Sequence, residues 1–229
     1  MKTVLAFDVY GTLIDTAGVV SKLEDLIGDR AEAFAGLWRE KQLEYSFRRG
    51  LMRRYQEFSV CVAESLDFVC ERFGVALSVG DKQRLLAAFT MLPAFDDAED
   101  CLARLDIEEF DLYALSNGSR DAVEKLLAQA DIGGRFVDVV SVDEIATFKP
   151  DPAVYQHFLK RAGADAADAW LVSGNPFDVI GAQSAGMHGI WVKRSATQLY
   201  DPWGIGPTIT VSSLAEIGSK LRAWGARRR

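Results

Sequence analysis

The strongest constraint on this chain is a recurring pattern of short apolar runs that stop at a polar residue and are separated by amphipathic stretches of helical period. The first run covers residues 4–7 and ends at Asp8, with Gly11 and Thr12 following as turn formers. Similar runs cover 111–115, 136–140, 169–172 and 189–192, and helical patterns cover 97–105, 120–130, 153–161, 177–185 and 214–224. Continuously apolar runs suit strands covered on both faces, and their alternation with helices predicts an α/β fold with a Rossmann-like parallel sheet core. Residues 17–91 break the rhythm, with no strand-like run and with long amphipathic stretches at 31–54 and 57–73. This predicts an inserted helical cap subdomain at 16–91, with 1–15 and 92–229 forming the α/β core domain and Pro93 marking the return hinge. The terminal Arg227, Arg228 and Arg229 read as a solvated tail.

Charge and cysteine usage narrow the function classes. A formal net charge of −7 on 229 residues sets the wrong sign of field for general nucleic-acid binding. Residues 30–54 run against that balance, with seven Arg or Lys against three Glu, which reads as a solvated helix face or as an attractor for a small anion. Cys61, Cys70 and Cys101 are odd in number and match no metal-ligand spacing. Nine residues of helix separate Cys61 from Cys70 by roughly 13 Å, too far for a disulfide, so all three are expected to pack as thiols. The start has one Lys and a short apolar run before Asp8, which is neither a signal peptide nor a membrane span; the expected location is cytoplasmic.

In open α/β sheets, reactive groups collect at the carboxyl ends of the strands. Four features of this sequence fall there: Asp8 with Tyr10, Gly11 and Thr12; Ser116, Asn117 and Gly118; Lys149 with Pro150; and Ser173, Gly174, Asn175, Pro176, Phe177 and Asp178. Each alone is weak, since Ser-Asn-Gly is a common turn and Lys before Pro is common on surfaces. His157 and His188 are the only histidines and neither falls in a motif, which excludes a hydrolase built on a His base.

Taken in order, Asp8-Val9-Tyr10-Gly11-Thr12-Leu13, Ser116-Asn117-Gly118, Phe148-Lys149-Pro150-Asp151 and the 173–178 segment resemble the haloacid dehalogenase superfamily across essentially the whole chain. The run Trp38-Arg39-Glu40-Lys41-Gln42-Leu43-Glu44-Tyr45-Ser46 is similar to the first long cap helix of the L-2-haloacid dehalogenases, a narrower match. Phosphatases of the superfamily carry a second Asp two residues after the nucleophile and a further carboxylate for Mg²⁺. Here Tyr10 and Gly174 stand at those places, so the resemblance implies carbon–halogen cleavage with no metal and no cofactor.

The resemblance also implies the site. Asp8 is the expected nucleophile, forming an ester on the enzyme; Asp178 positions or activates the hydrolytic water; Ser173 and Asn175 orient the two carboxylates; and Lys149 offsets their like charges, with Thr12 alongside. The substrate carboxylate is expected at the Ser116 hydroxyl and at backbone N–H groups near Val9, Tyr10 and Asn117, and the halide near Arg39, Asn117 and Phe177. Tyr155 matches a polar position of the family's site, with packing as the alternative. Gly174, Pro176 and Val9 depart from the family pattern, where Ser, a freer loop and Ala are usual, and bear on substrate range. The expected partners are a small L-2-haloacid, turned over to a D-2-hydroxyacid, and the halide product, with no nucleic acid, no membrane, and assembly as a homodimer. The competing readings are a phosphatase or phosphonate hydrolase on the same fold, and a non-catalytic binding module.

Overall fold

The computed structural model describes residues 2–226, so the Arg227–Arg229 tail lies outside the described residues. Six strands, β1 (Thr3–Asp8), β2 (Phe110–Ser116), β3 (Asp138–Ser141), β4 (Ala169–Ser173), β5 (His188–Val192) and β6 (Ile209–Val211), form one parallel sheet in the order β3-β2-β1-β4-β5-β6. β1 lies between β2 and β4, and its Leu5, Ala6 and Phe7 are fully buried. The chain builds outward from β1 to β3 and then crosses to β4 on the other side, so the strand order reverses at β1. The crevice beyond the carboxyl ends of β1 and β4 is therefore the switch point where ligands of such sheets bind.

The helical insert lies between β1 and β2. It comprises α1 (Val20–Ile27), α2 (Ala31–Leu51), α3 (Phe58–Phe73) and α4 (Val79–Ala88). Ala31, Phe34, Trp38, Gln42 and Ser46 recur at helical spacing and are the buried face of α2. Trp38 ties that face to α3 by donating from Nε1 to Val62 O at 2.9 Å. The two crossings between insert and sheet run side by side: Asp15 N donates to Pro93 O at 2.8 Å and Phe95 N to Leu13 O at 2.9 Å. Gly18 permits that approach, because a Cβ there would lie 2.6 Å from Pro93 Cδ. Aromatic contacts seat the insert over the sheet's carboxyl edge, Phe47 on Phe177 with ring centroids 5.0 Å apart and Tyr55 on Phe148 at 4.9 Å.

The remaining helices are α5 (Ala98–Arg104), α6 (Arg120–Gln129), α7 (Pro152–Ala162), α8 (Pro176–Ser184) and α9 (Ile217–Ala226). Three expectations need correction. β3 pairs only from Asp138, because Phe136 is used for packing, edge-on against Phe7 at 6.2 Å. β6 was not legible, since three residues at a sheet edge carry too short a pattern. The last helix opens as a 3₁₀ turn, Leu214–Glu216, fixed by a capping box between Ser213 and Glu216. The three cysteines are buried and free, as expected of packing residues. Among the described residues no helix is long and apolar enough to cross a membrane.

Candidate active site

Three of the candidate side chains sit where a strand gives out. Asp8 is the last residue of β1, Ser116 of β2 and Ser173 of β4, with Asp8 facing Leu115, one residue short of Ser116, across the β1–β2 pair. Asp178 lies in the first turn of α8, where exposed amide dipoles favour a carboxylate, and Pro176 opens that helix at a position that needs no N–H donor.

The two oxygens of Asp8 are unequally engaged. Oδ2 accepts from Thr12 Oγ1 at 2.7 Å, Asn175 Nδ2 at 2.8 Å and Ser173 Oγ at 3.1 Å, whereas Oδ1 accepts only from Lys149 Nζ at 3.0 Å. The Lys149 ammonium, 1% exposed, spends its other donors on Asp178 Oδ2 at 2.8 Å and Leu115 O at 2.7 Å, so all three are used. Asp178 is fully buried, and its Oδ1 accepts from the Tyr155 hydroxyl at 2.8 Å.

These environments push the two carboxylates apart. For Asp8 burial works upward, but Lys149 and the donors from Thr12 and Asn175 outweigh it and hold the acid below its ordinary value. Asp178 is raised, by burial first and by the charge of Asp8, with Lys149 only partly offsetting. Lys149 rises despite burial, because two carboxylates face it. Tyr155 is held well above its ordinary value by burial and by Asp178, and therefore stays a neutral donor. A carboxylate kept ionised beside one biased toward its acid form suits a nucleophile paired with a proton acceptor.

A small cavity of about 10 Å³, close to the minimum one water needs, is lined by Asp8, Lys149, Asn117, Arg39, Tyr10 and Phe177, among others. Arg39 reaches it from α2. Its contact with the Tyr10 carbonyl, at 3.5 Å, is loose, and it forms no ion pair among the described residues. Burial lowers the guanidinium from its ordinary value while Asp8 works to raise it. The Tyr10 phenol is pushed up to about 12 by burial. Asn117 Oδ1 accepts from Lys149 N at 3.0 Å.

Three placements differ from expectation. Of the two carboxylates, Ser173 and Asn175 bond only Asp8, and Asp178 is oriented instead by Lys149 and Tyr155. Tyr155, expected among the substrate contacts, is fully buried behind Asp178 and does not line the cavity. Ser116 and Val9 are likewise fully buried and off the cavity wall, with Ser116 Oγ accepting from Gly118 N at 3.0 Å. Gly174 has a steric reason: a Cβ there would collide with the Gly11 carbonyl, so the loop after β4 closes tightly on the loop after β1.

Sequence reading missed the outer clamp on these loops. Gln198 Nε2 donates to Gly174 O at 2.8 Å, and Arg194 donates to the Thr12 carbonyl while its Nη1 contacts both oxygens of Asp97, at 2.8 and 2.9 Å. These residues lie far apart in sequence, and no local pattern marks them. Leu43, which also lines the cavity, was findable: it lies one helical turn beyond Arg39 on α2. Among the described residues no group of three or more His, Cys, Asp or Glu converges to hold a metal. The two carboxylates that do meet are filled by Lys149 and hydroxyl or amide donors, a poor set for a hard cation.

A family model described as haloacid dehalogenase-like hydrolase matches residues 2–186. An (S)-2-haloacid dehalogenase of Pseudomonas putida is 34% identical over 217 residues, covering 95% of each chain. (S)-2-haloacid dehalogenase 1 of Pseudomonas sp. strain CBS-3 is 38% identical over 188 residues, 82% of this chain and 83% of that one. The solved L-2-haloacid dehalogenase of Xanthobacter autotrophicus with chloropropionic acid covalently bound superposes with a TM-score of 0.90 at 29% identity, covering 97% of this chain and 99% of its own.

Proposed function

The chain belongs to the haloacid dehalogenase-like hydrolases, and from that premise we propose that it hydrolyses small L-2-haloacids to D-2-hydroxyacids through an ester on Asp8, without a metal. The observation that carries this reading is the unequal engagement of Asp8, with one lightly held oxygen and one triply held oxygen on a cavity that also receives the Arg39 guanidinium.

Asp8 Oδ1, with a single donor, attacks the carbon bearing the halogen from the side opposite the leaving group. The C–O bond forms as the carbon–halogen electron pair departs with the halide, and the centre inverts. Arg39, Asn117 and the ring edge of Phe177 receive that charge. Water then attacks Cγ of Asp8, giving its proton to Asp178. Negative charge develops on Oδ2, where Thr12, Ser173 and Asn175 already point three donors. Collapse breaks the Cγ–Oδ1 bond, the departing alkoxide takes the proton back from Asp178, and the Asp8 carboxyl releases the water's remaining proton to solvent, which balances the departed halide. The Asn117 amide and loop N–H groups hold the substrate carboxylate.

Residues 16–91 act as a cap in this reading, supplying Arg39, Leu43 and Phe58 to a site whose other groups come from the sheet edge. The free thiols support a reducing, cytoplasmic setting, and the exposed Leu51 and Met52 at the end of α2 support assembly as a homodimer. The phosphatase alternative has Tyr10 where a second acid is needed and a donor set that does not fit Mg²⁺.

A single turnover in H₂¹⁸O tests the reading. The label should enter the Asp8 carboxylate while the first product carries unlabelled oxygen. Label appearing at once in the product would assign the attack to water and remove Asp8 from its role. EDTA should leave halide release unchanged.

A further inference from the structure

Beside the small reaction cavity lies a second and much larger one. It measures about 210 Å³, against about 10 Å³ for the first, and both are walled by Tyr10 and Phe58. Those two rings, with centroids 6.1 Å apart, stand between the two spaces. Beyond them the larger cavity is bounded by Val62 of α3, Leu86 of α4, the neighbouring Phe89, and Ala122 near the start of α6. It lies between the helical insert and the sheet domain. Glu57 and Thr90, which also border it, are solvent-exposed, so polar groups mark its outer side while its body is apolar.

A haloacid of two or three carbons has no use for such a space. Its carboxylate, halogen and reacting carbon are all met by the groups around Asp8. Only one part of a 2-haloacid can vary without disturbing those contacts, and that is the alkyl substituent on the reacting carbon. Such a tail is apolar, unbranched in the simplest case and without hydrogen-bonding needs, which matches the cavity's lining. The half-buried Tyr10 ring is the partition to be passed. It packs against Gly118, where a Cβ would lie 3.1 Å from Tyr10 Cε2, so the glycine lets the ring sit close to the loop after β2 at the boundary of both cavities. We propose that the cavity beyond Tyr10 and Phe58 receives the alkyl tail of longer L-2-haloacids, so that the substrate range extends well past the propionates. This inference rests on the dehalogenase reading.

Ala122 allows a clean test, because it borders the large cavity, does not border the small one and sits in a helix that tolerates larger side chains. Bromide release from L-2-bromopropionate and L-2-bromohexanoate would be followed for the wild-type protein, Ala122→Leu and Ala122→Phe, with thermal melting to establish that each variant is folded. The wild-type protein should turn over both acids. Each added group should then lower kcat/KM for the hexanoate by roughly ten-fold or more while moving the propionate less than about two-fold, in line with what a methylene is worth in an apolar pocket. Phe89→Ala should favour the longer acid. If both substrates fall together in the Ala122 variants, the cavity is an access route and the tail assignment is overturned; unchanged hexanoate turnover overturns it as well. Absence of bromide release from the propionate in the wild-type protein would instead count against the dehalogenase reading itself.

Discussion

The sheet edge and the inner face of α2 meet at one cavity, yet they satisfy their polar groups in opposite ways. At the sheet edge Asp8, Lys149 and Asp178 are almost completely buried and pair with one another: the ammonium spends all three donors, and each oxygen of both carboxylates accepts at least one hydrogen bond. On α2, Arg39 has one loose contact at 3.5 Å, and Gln42 is fully buried with neither its Nε2 nor its Oε1 paired. The strands hold a preorganised charge cluster whose geometry costs nothing to assemble at the moment of reaction. The helix holds polar groups whose partners must arrive with a ligand or with water.

Removing Lys149 should break this contrast most severely. Lys149→Ala leaves two carboxylates facing each other in a dry site, and loss of one member of a buried charge cluster costs about 3–5 kcal/mol. Both carboxylates should shift upward without the ammonium, so Asp8 loses nucleophilic form and turnover should fall by about three orders of magnitude or more. Denaturant melts and halide release at several pH values would measure both effects.

Arg39→Gln should behave differently. With no ion pair to strand, the variant should melt within about 0.5 kcal/mol of the wild-type protein. Halide departure should nevertheless slow by about 10²–10³-fold, as for loss of one charge-stabilising donor. A parallel loss of stability would show that the α2 face is as structurally committed as the sheet edge.

Tyr155→Phe removes a donor to the ionised Asp178 and should raise that carboxyl further above its already elevated position. The sign follows from the base role proposed for Asp178. Asp178 accepts a proton only when ionised, so activity falls as pH drops through its folded-state pKa, and the acid limb of kcat should move to higher pH in the variant. Deacylation should slow by about ten-fold at neutral pH. An unmoved acid limb would separate Tyr155 from Asp178. The linked stability has two parts. The depressed Asp8 contributes stability above its unfolded value that is lost as pH falls from there through its lower folded value, whereas the penalty of the raised Asp178 is relieved at higher pH, as pH falls through its elevated folded value toward its unfolded one.

Gln42→Met should have the smallest effect. It exchanges an unpaired buried amide for an apolar side chain of similar length and should raise stability by about 1 kcal/mol, a shift of about 2–4 °C in Tm, with little change in turnover. A destabilised variant would show that the amide is satisfied by an ordered water.

Local pattern made much of this protein legible. The runs ending at Asp8 and Ser173 are apolar on both faces because they are covered on both, and that information is written within a handful of residues. Arg39 was findable because an uncommon run of residues around it occupies one long helix. β6 escaped because a three-residue edge strand depends on β5 for its existence, not on its own sequence.

What the sequence determined by itself was therefore the order of elements and which residue types fall at strand ends, since both depend on period and spacing along the chain. Only the tertiary structure decided who bonds to whom. It spent Ser173 and Asn175 on Asp8, gave Tyr155 to Asp178, buried Ser116 away from the cavity and brought Arg194 and Gln198 against the loops after β1 and β4. A hydrogen bond needs distances within a few tenths of an ångström, and for residues separated by 23 to 182 positions those distances are set by how the strands stack and how the loops close. The collision that any Cβ at Gly174 would make with the Gly11 carbonyl is of the same kind: a glycine in sequence, but a contact between two loops only once β1 and β4 lie side by side.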